Sequence, residues 1–346
     1  MRELVTLYSA VFLEHVPPFP HPERPERLKI ALSSLKEHGL LGRIVEPVPA
    51  EERDLYRVHD PEYVARVREL VEAGAAMLDN DTYISRGTMR AALTAAGASL
   101  RAAEAAVEGR AILILPRPPG HHAGRRGRAM GALTQGFCIF NNAALAVARL
   151  LELGLRRVAV LDFDSHHGNG TQEIFYSDPR VLHVDLHEDP VTLYPGTGFP
   201  TDLGSGEGEG FKVNVVLPPS SGDDAYALAL EEVVVPLLES FKPEALVYSA
   251  GFDAYAGDGL SHLRAGAHTY SRLGLLAGEL GVSRVIAVLE GGYEVGLEKG
   301  LPSFVASLIS RKPPFNERFT SREPVLRLAR EYIDELKALL RRYWSL

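Results

Sequence analysis

The sequence predicts an α/β fold in which a parallel sheet is covered by helices on both faces. Three observations lead there: short apolar, β-branched runs alternate with longer amphipathic segments; the alternation runs the length of the chain without a repeat or a linker; and chemically capable polar side chains gather just after the predicted strands.

Each strand candidate is a nearly continuous apolar run, as expected where both faces of a sheet are buried. Seven are legible: LVTLY from Leu4, AILIL from Ala111, RVAVLDF from Arg157, RVLHVDL from Arg180, VNVVL from Val213, ALVYSA from Ala245 and RVIAVLE from Arg284. Between and after them, apolar positions recur at helical spacing over 25–37, 61–72, 88–107, 141–153, 225–239, 267–280, 295–309 and 324–342. The Gly-rich stretch from Gly196 to Gly210 has the composition of a linker, but the alternation continues on both sides, which makes it a long loop between neighbouring strands. One domain over 1–346 is therefore expected.

With 46% hydrophobic and 24% charged residues, the chain can build a large core. The single cysteine, Cys138, excludes an intramolecular disulfide and any cysteine zinc cage, so a metal would have to sit on His, Asp or Glu. No run reaches the roughly 18 apolar residues of a membrane span. The N-terminal stretch also lacks a small-residue cleavage pattern, so a cytoplasmic protein without a membrane partner is expected. A net charge of −8 argues against nucleic acid as a partner. It weakly favours a cationic ligand at long range, although surplus acid also serves solubility alone. The sequence is silent on oligomeric state.

In parallel α/β sheets, ligands bind beyond the carboxyl ends of the strands. Five strand ends here carry candidate groups: His121 and His122 after AILIL; Asp162, Asp164, His166 and His167 after RVAVL; Asp185 and His187 in RVLHVDLH; Asp253 and Asp258 after ALVYSA; and Glu290 and Tyr293 after RVIAVL. Any one of these has a plain structural explanation, an N-cap for a lone Asp or a hydrogen-bonded core residue for a lone His. Two His-His pairs, each just after a predicted strand, together with carboxylates on neighbouring ends, point to one site instead.

The chemistry that fits is metal-assisted hydrolysis. Catalytic zinc takes three His or carboxylate ligands and keeps a fourth position for water. Asp164 and His166, two residues apart as the chain leaves a strand, turn toward one point, and Asp253 is the candidate third ligand, with Gly251 letting the backbone bend there without Cβ strain. So oxygen-rich a set would also accept Fe²⁺, Mn²⁺ or Co²⁺. His121 and His122 suit proton transfer to a leaving nitrogen. Asp162 is free to orient one imidazole and Asn169 the other, an asymmetry that would separate their pKa values. Tyr293, after Gly291 and Gly292, can donate its phenol hydrogen to an oxyanion opposite the metal.

RPPGHHA from Arg117, GFCIFNNAA from Gly136, DFDSHHGNGTQ from Asp162, YPGTG from Tyr194, SAGFDA from Ser249 and LEGGY from Leu289, in this order, resemble the histone deacetylase family, which includes acetylpolyamine amidohydrolases. HPERPERL from His21 and HDPEYV from His59 extend the likeness to about residues 5–310. The resemblance implies the three-layer arginase-deacetylase fold, with an eight-stranded parallel sheet; the strand not yet found would lie near Arg43–Val48. It implies hydrolysis of an acetyl or similar acyl amide of an amine, such as acetyl-lysine in a peptide, an acetylpolyamine or another small molecule. Asp164, His166 and Asp253 would be the zinc ligands, His122 the general base and acid, His121 its electrostatic partner and Tyr293 the carbonyl polariser. Phe137 and Tyr194 would line a tunnel, with Gly136 contributing backbone, Leu260 a wall, Gly291 a place beside the substrate and Asp81 the rim carboxylate. Structural potassium would lie near Asp162 and His183.

The chain departs from the family pattern in places. Ser165 stands where a hydrophobic residue is common, Asp185 where a small hydroxyl residue is usual, and Gly259 where proline is common. The loop after the first His-His pair carries Arg125, Arg126 and Arg128 near the expected entrance, either as a solvated tip or as an attractor for an anionic substrate. Rival readings are an aspartate-dependent phosphatase, a binuclear ureohydrolase, another small-amide amidohydrolase and a silent acyl-amine binding protein. The first does not need two His-His pairs or Tyr293, and the second needs further ligands where His121 and Tyr293 stand.

Overall fold

A computed structural model describes residues 3–345. In chain order the first half runs β1 (Leu4–Leu7), α1 (Glu26–Glu37), β2 (Arg43–Val45), α2 (Glu52–Leu55), α3 (Pro61–Glu72), α4 (Thr88–Val107), β3 (Ala111–Ile114), α5 (Asn142–Glu152), β4 (Val158–Asp162) and α6 (Asn169–Ile174). The second half runs β5 (Val181–Glu188), β6 (Lys212–Leu217), α7 (Asp223–Ala229), α8 (Val235–Phe241), β7 (Ala245–Ala250), α9 (Ala267–Glu279), β8 (Arg284–Leu289), α10 (Leu301–Leu308) and α11 (Glu323–Leu340).

All eight strands pair in parallel in the order β2-β1-β3-β8-β7-β4-β5-β6, with helices on both faces. The eighth strand is β2, at the sheet edge where the resemblance left room for it. The inner strands carry almost no exposed residue, so every side chain of β4, β5 and β7 is buried. That is why they read as apolar runs rather than as alternating patterns. The long loop after Gly196 joins β5 to β6, as its flanks required.

Two helices are less regular than predicted. A π-helical turn, Leu230–Val234, separates α7 from α8, and another, Gly296–Gly300, precedes α10. In both cases a proline, Pro236 or Pro302, follows at the start of the next helix. Its missing N–H breaks the i→i−4 ladder there, and the widened turn absorbs the break. Helices α2 and α6 escaped notice because four and six residues are too few to show a period.

The five strands with candidate groups at their ends, β3, β8, β7, β4 and β5, are consecutive in the sheet. This places the groups along one contiguous edge, although their positions in the sequence span Gly120 to Tyr293. At the far side α11 packs on β6, and Trp344 closes the chain against Phe211 and Phe241, its indole donating to Gly210 O at 2.7 Å. Among the described residues no helix is long and apolar enough to cross a membrane.

Candidate active site

Asp164 and His166 leave β4, and Asp253 leaves the adjacent β7. His166 Nδ1 lies 3.0 Å from Asp164 Oδ1 and 2.9 Å from Asp253 Oδ2, and the three donor atoms are all within 4.8 Å of one another. Backbone amides fix the carboxylates: Ser165 N–H donates to Asp253 Oδ1 at 2.9 Å and Gly291 N–H to Asp164 Oδ2 at 2.7 Å. Asp253 Oδ2 is buried and accepts no well-formed hydrogen bond. Burial opposes a charge on His166, yet Asp164 and Asp253 lift its pKa to about 10. Two buried carboxylates facing one imidazole therefore attract a cation, and the donor set fits a divalent ion.

Gly251 is required for a reason other than the one the sequence suggested. Its φ is ordinary, and the demand is space: a Cβ would stand 2.5 Å from Asp164 Cα and Cβ. The same holds at Gly291, where a Cβ would meet the carboxylates of Asp164 and Asp253 at 2.5 Å. Both glycines let a neighbouring strand end close onto the ligand cluster.

The histidine pair is asymmetric. His121 Nδ1 meets Asp162 Oδ2 at 3.1 Å, whereas His122 Nδ1 meets Asn169 Oδ1 at 2.8 Å. Asn169 donates its amide to Ala129 O at 3.0 Å, which turns its oxygen to His122 and leaves Nε2 as the free nitrogen. Burial works against a charge on His121, but Asp162, Asp164 and Glu290 outweigh it and hold the pKa well above the usual value. Burial and the charges of His121 and His166 hold His122 well below it. Burial and Asp185 raise the Asp162 pKa as well, while His121 and the Asp164 N–H, donated at 3.1 Å, oppose that rise. The two adjacent rings are thus pushed in opposite directions, His121 toward the charged form and His122 toward the neutral one.

His121, His122, Asp164 and His166 floor a cavity of about 270 Å³ walled by Phe137, Tyr194, Leu260, Gly136, Gly291 and Tyr293, with Asp81 at its border. Phe137 holds a left-handed backbone (φ 71°), a conformation that costs an L residue about 1–2 kcal/mol, and its N–H donates to Thr82 Oγ1 at 3.2 Å. Tyr194 OH donates to Thr134 O at 2.8 Å, which braces the opposite wall. Gly259, in place of the family proline, has φ 103°, a value proline cannot reach. Burial keeps the Tyr293 phenol protonated, and the Arg27 guanidinium 4.7 Å above its ring opposes this only in part.

None of the three arginines borders the cavity. Arg125 donates to Ile174 O, Arg126 pairs with Asp60 at 2.8 Å and Arg128 donates to Leu133 O, so they tether their own loop. Asp162, His183 and Asp185, all buried, form a second cluster with donor atoms within 4.8 Å, and neither ring nitrogen of His183 makes a hydrogen bond, although Nε2 lies 3.7 Å from Asp185 Oδ2. Its chemistry fits a cation, in the place where the resemblance sets potassium. Asp185 also accepts from His187 Nδ1 at 2.7 Å and Gly168 N at 2.8 Å.

Several supporting residues carried no sequence signal for their role. Glu290 accepts the N–H groups of Gly120 and His121 at 2.8 and 3.2 Å, and so fixes the His-His turn instead of lining the cavity. Glu23, with side-chain exposure of 0%, binds the equally buried Arg117 and also Arg27, whose Nε donates to Gly292 O at 2.6 Å. Glu23 and Arg117, 94 residues apart, and Glu290 and Gly120, 170 apart, cannot be paired from one sequence.

The profile of the histone deacetylase domain matches residues 21–308. The chain belongs to the histone deacetylase family. It is 38% identical over 360 residues to a probable deacetylase of Archaeoglobus fulgidus, covering 98% of each chain. It is 37% identical over 282 residues to the histone deacetylase-like amidohydrolase of Pseudomonas aeruginosa, covering 79% of this chain and 72% of that one. Its fold matches the crystal structure of the HDA15 HD domain at a TM-score of 0.88 and 31% identity, over 99% of this chain and 95% of that one. The family and its three-layer fold thus agree with the motif reading.

Proposed function

We propose that this chain, by family a hydrolase of the deacetylase class, removes acetyl or similar small acyl groups from an alkyl amine, with residues 1–346 acting as one catalytic unit. The observation that carries the reading is convergence: one cavity is lined by the unequal histidine pair, Tyr293 and two members, Asp164 and His166, of the Asp164–His166–Asp253 cluster. Asp164, His166 and Asp253 would hold a zinc ion, or another divalent ion of similar size, which supplies Lewis-acid activation of water and carbonyl when bound. Asp162 and Asp185 would hold a potassium ion.

His122, neutral and held by Asn169, takes a proton at Nε2 from the attacking water and delivers it to the leaving nitrogen. His121, kept cationic by Asp162, restrains the charge that His122 gains. Tyr293 donates its phenol hydrogen to the acyl oxygen as negative charge develops there. Phe137 and Tyr194 exclude water along an alkyl chain, and Asp81 meets a cationic or N–H-bearing group at the rim. Among the described residues no lysine or arginine borders the cavity, which favours lysine side chains and polyamines over anionic substrates.

A panel of acetyl-lysine peptide, acetylated polyamine and longer acyl analogues tests the proposal. Turnover should disappear with a chelator, return with Zn²⁺, and fall by about 10²–10³ in Tyr293→Phe. Turnover that survives chelation, or a Tyr293→Phe enzyme as fast as the parent, would refute it.

A further inference from the structure

The segment joining β7 to α9 reaches the cavity at Leu260, and just before that point lies Asp258, only 6% exposed. Its Oδ2 accepts the backbone N–H of Tyr293 at 2.8 Å, while Oδ1 accepts those of Glu294 at 2.9 Å and Gly296 at 2.8 Å. These N–H groups lie on the turn that takes the chain from β8 into the π-helical start of α10, where no helical carbonyl is in place to receive them.

Tyr293 needs such a hold. Gly291 and Gly292 precede it, the latter at φ 113°, so the two residues upstream are those with the greatest backbone freedom. Gly291 N–H is held by Asp164 Oδ2 and Gly292 O by Arg27, and the contact that holds the backbone of Tyr293 itself is Asp258. The segment bearing Asp258 is itself well anchored. Asp258 N–H donates to Tyr255 O at 2.9 Å, Ser261 Oγ donates to Asp253 O at 3.2 Å, and the buried Glu188 accepts both the N–H and the Nδ1 of His262 at 2.8 Å. Leu260 sits between these fastenings.

We propose that Asp258 is a positioning residue: through Oδ2 it fixes the backbone of Tyr293, aims the phenol at the acyl oxygen, and ties that aim to the cavity wall at Leu260. This rests on the reading of Tyr293 as the carbonyl-polarising donor. The plainer account is a carboxylate that caps a helix, and the two oxygens separate the accounts. Oδ1 serves the cap through Glu294 and Gly296, whereas Oδ2 serves Tyr293 alone.

Asp258→Asn exploits that division. Its one carbonyl oxygen satisfies more donors on the capping side, which leaves its NH₂ facing the Tyr293 N–H, donor against donor. The expected result is a Tm within about 3 °C of the parent, KM within about threefold, and kcat at least about tenfold lower. In a Tyr293→Phe background the same substitution should change kcat by less than about twofold, since the group it aims is gone. Amide exchange across 291–297 should speed up by about tenfold or more in Asp258→Asn. The proposal is overturned if Asp258→Asn keeps kcat within about twofold of the parent, or if its loss is undiminished in the Tyr293→Phe background. If the parent turns over no substrate, the functional reading fails on its own, and amide exchange alone decides the positioning role: unchanged protection over 291–297 would refute it.

Discussion

Replacing Asn169 by aspartate tests the asymmetry of the histidine pair directly. The molecule supplies its own reference: His121 and His122 are adjacent and equally buried, and they differ chiefly in whether Nδ1 meets a carboxylate or an amide. Asn169→Asp places a negative charge about 2.8 Å from His122 Nδ1, at the distance the amide oxygen now holds. A carboxylate in such contact raises an imidazole pKa by about 1–3 units, or about 1.4–4 kcal/mol in favour of the charged ring.

A base must be neutral to accept a proton, so the acid limb of kcat/KM should move toward higher pH by about 1–3 units. Below the new limb, activity should fall about tenfold per unit. The assay is kcat/KM across pH 5.5–9.5, with Asn169→Ala as control. The alanine variant loses orientation but gains no charge, so its limb should not move to higher pH. A limb that stays in place in Asn169→Asp, or moves to lower pH, would refute the assignment of His122 as the neutral base.

Three further outcomes are expected. Gly251→Ala pushes a methyl group into Asp164, and divalent affinity measured by metal titration should fall by about 10–100-fold, as for other supports of a ligand set; unchanged affinity would contradict the close-approach argument. Glu23→Gln leaves Arg117 and Arg27 buried without their counter-charge, which costs about 3–5 kcal/mol and should lower the Tm by about 4–7 °C; a shift under about 2 °C would contradict it. Burial holds His15 at a pKa of about 3 and His59 at about 4, well below the unfolded 6.5, so the unfolded chain binds more protons below pH 6.5 and stability falls as pH drops. The loss is about 1.4 kcal/mol per pH unit for each ring, and the Tm should fall between pH 6.5 and 5, less steeply in His59→Gln; a flat profile would count against neutral burial of both.

What the sequence disclosed, and what it withheld, follows from the range of the interactions. Strands β3 to β8 and helices α3 and α4 were legible because both their period and their ends are local properties. The site residues were legible because a parallel sheet puts strand ends on one edge whatever the strand order. The reason for Gly251 was misread because a demand for space involves a second strand, whereas a demand on φ is written in one residue. Asp258 and Glu290 stood out as polar residues after strands, but their partners are the backbone N–H groups of Tyr293 and Gly120, which have no side-chain signature. The Arg-rich loop left a solvated tip and an anion-attracting entrance both open in the sequence, because the partner of Arg126, Asp60, lies 66 residues away.

The segment from Asp162 to Asn169 has a consequence for how the site can be altered. Within it lie one orienter for each histidine of the pair and two of the three candidate metal ligands, so its backbone cannot shift without moving both functions together. Asp253 and Tyr293 arrive separately, on β7 and β8, and the β7–β8 register, which pairs Ala250 with Leu289, sets their spacing. Ion position and carbonyl polarisation therefore depend on different structural supports. An Asp253 substitution should remove metal while leaving the histidine pair ordered, whereas damage at Gly168 should disturb both, because a Cβ there would intrude on Asp162 and reach Asp185 Oδ2 at 3.2 Å. The cation on His121 belongs to the same support. Burial opposes it and Asp162, Asp164 and Glu290 favour it, so an ion held by Asp164 would leave Asp162 and Glu290 to sustain it. Glu290 accepts two backbone N–H groups of the His-His turn and so holds that turn, while its burial raises its pKa and His121 opposes the rise.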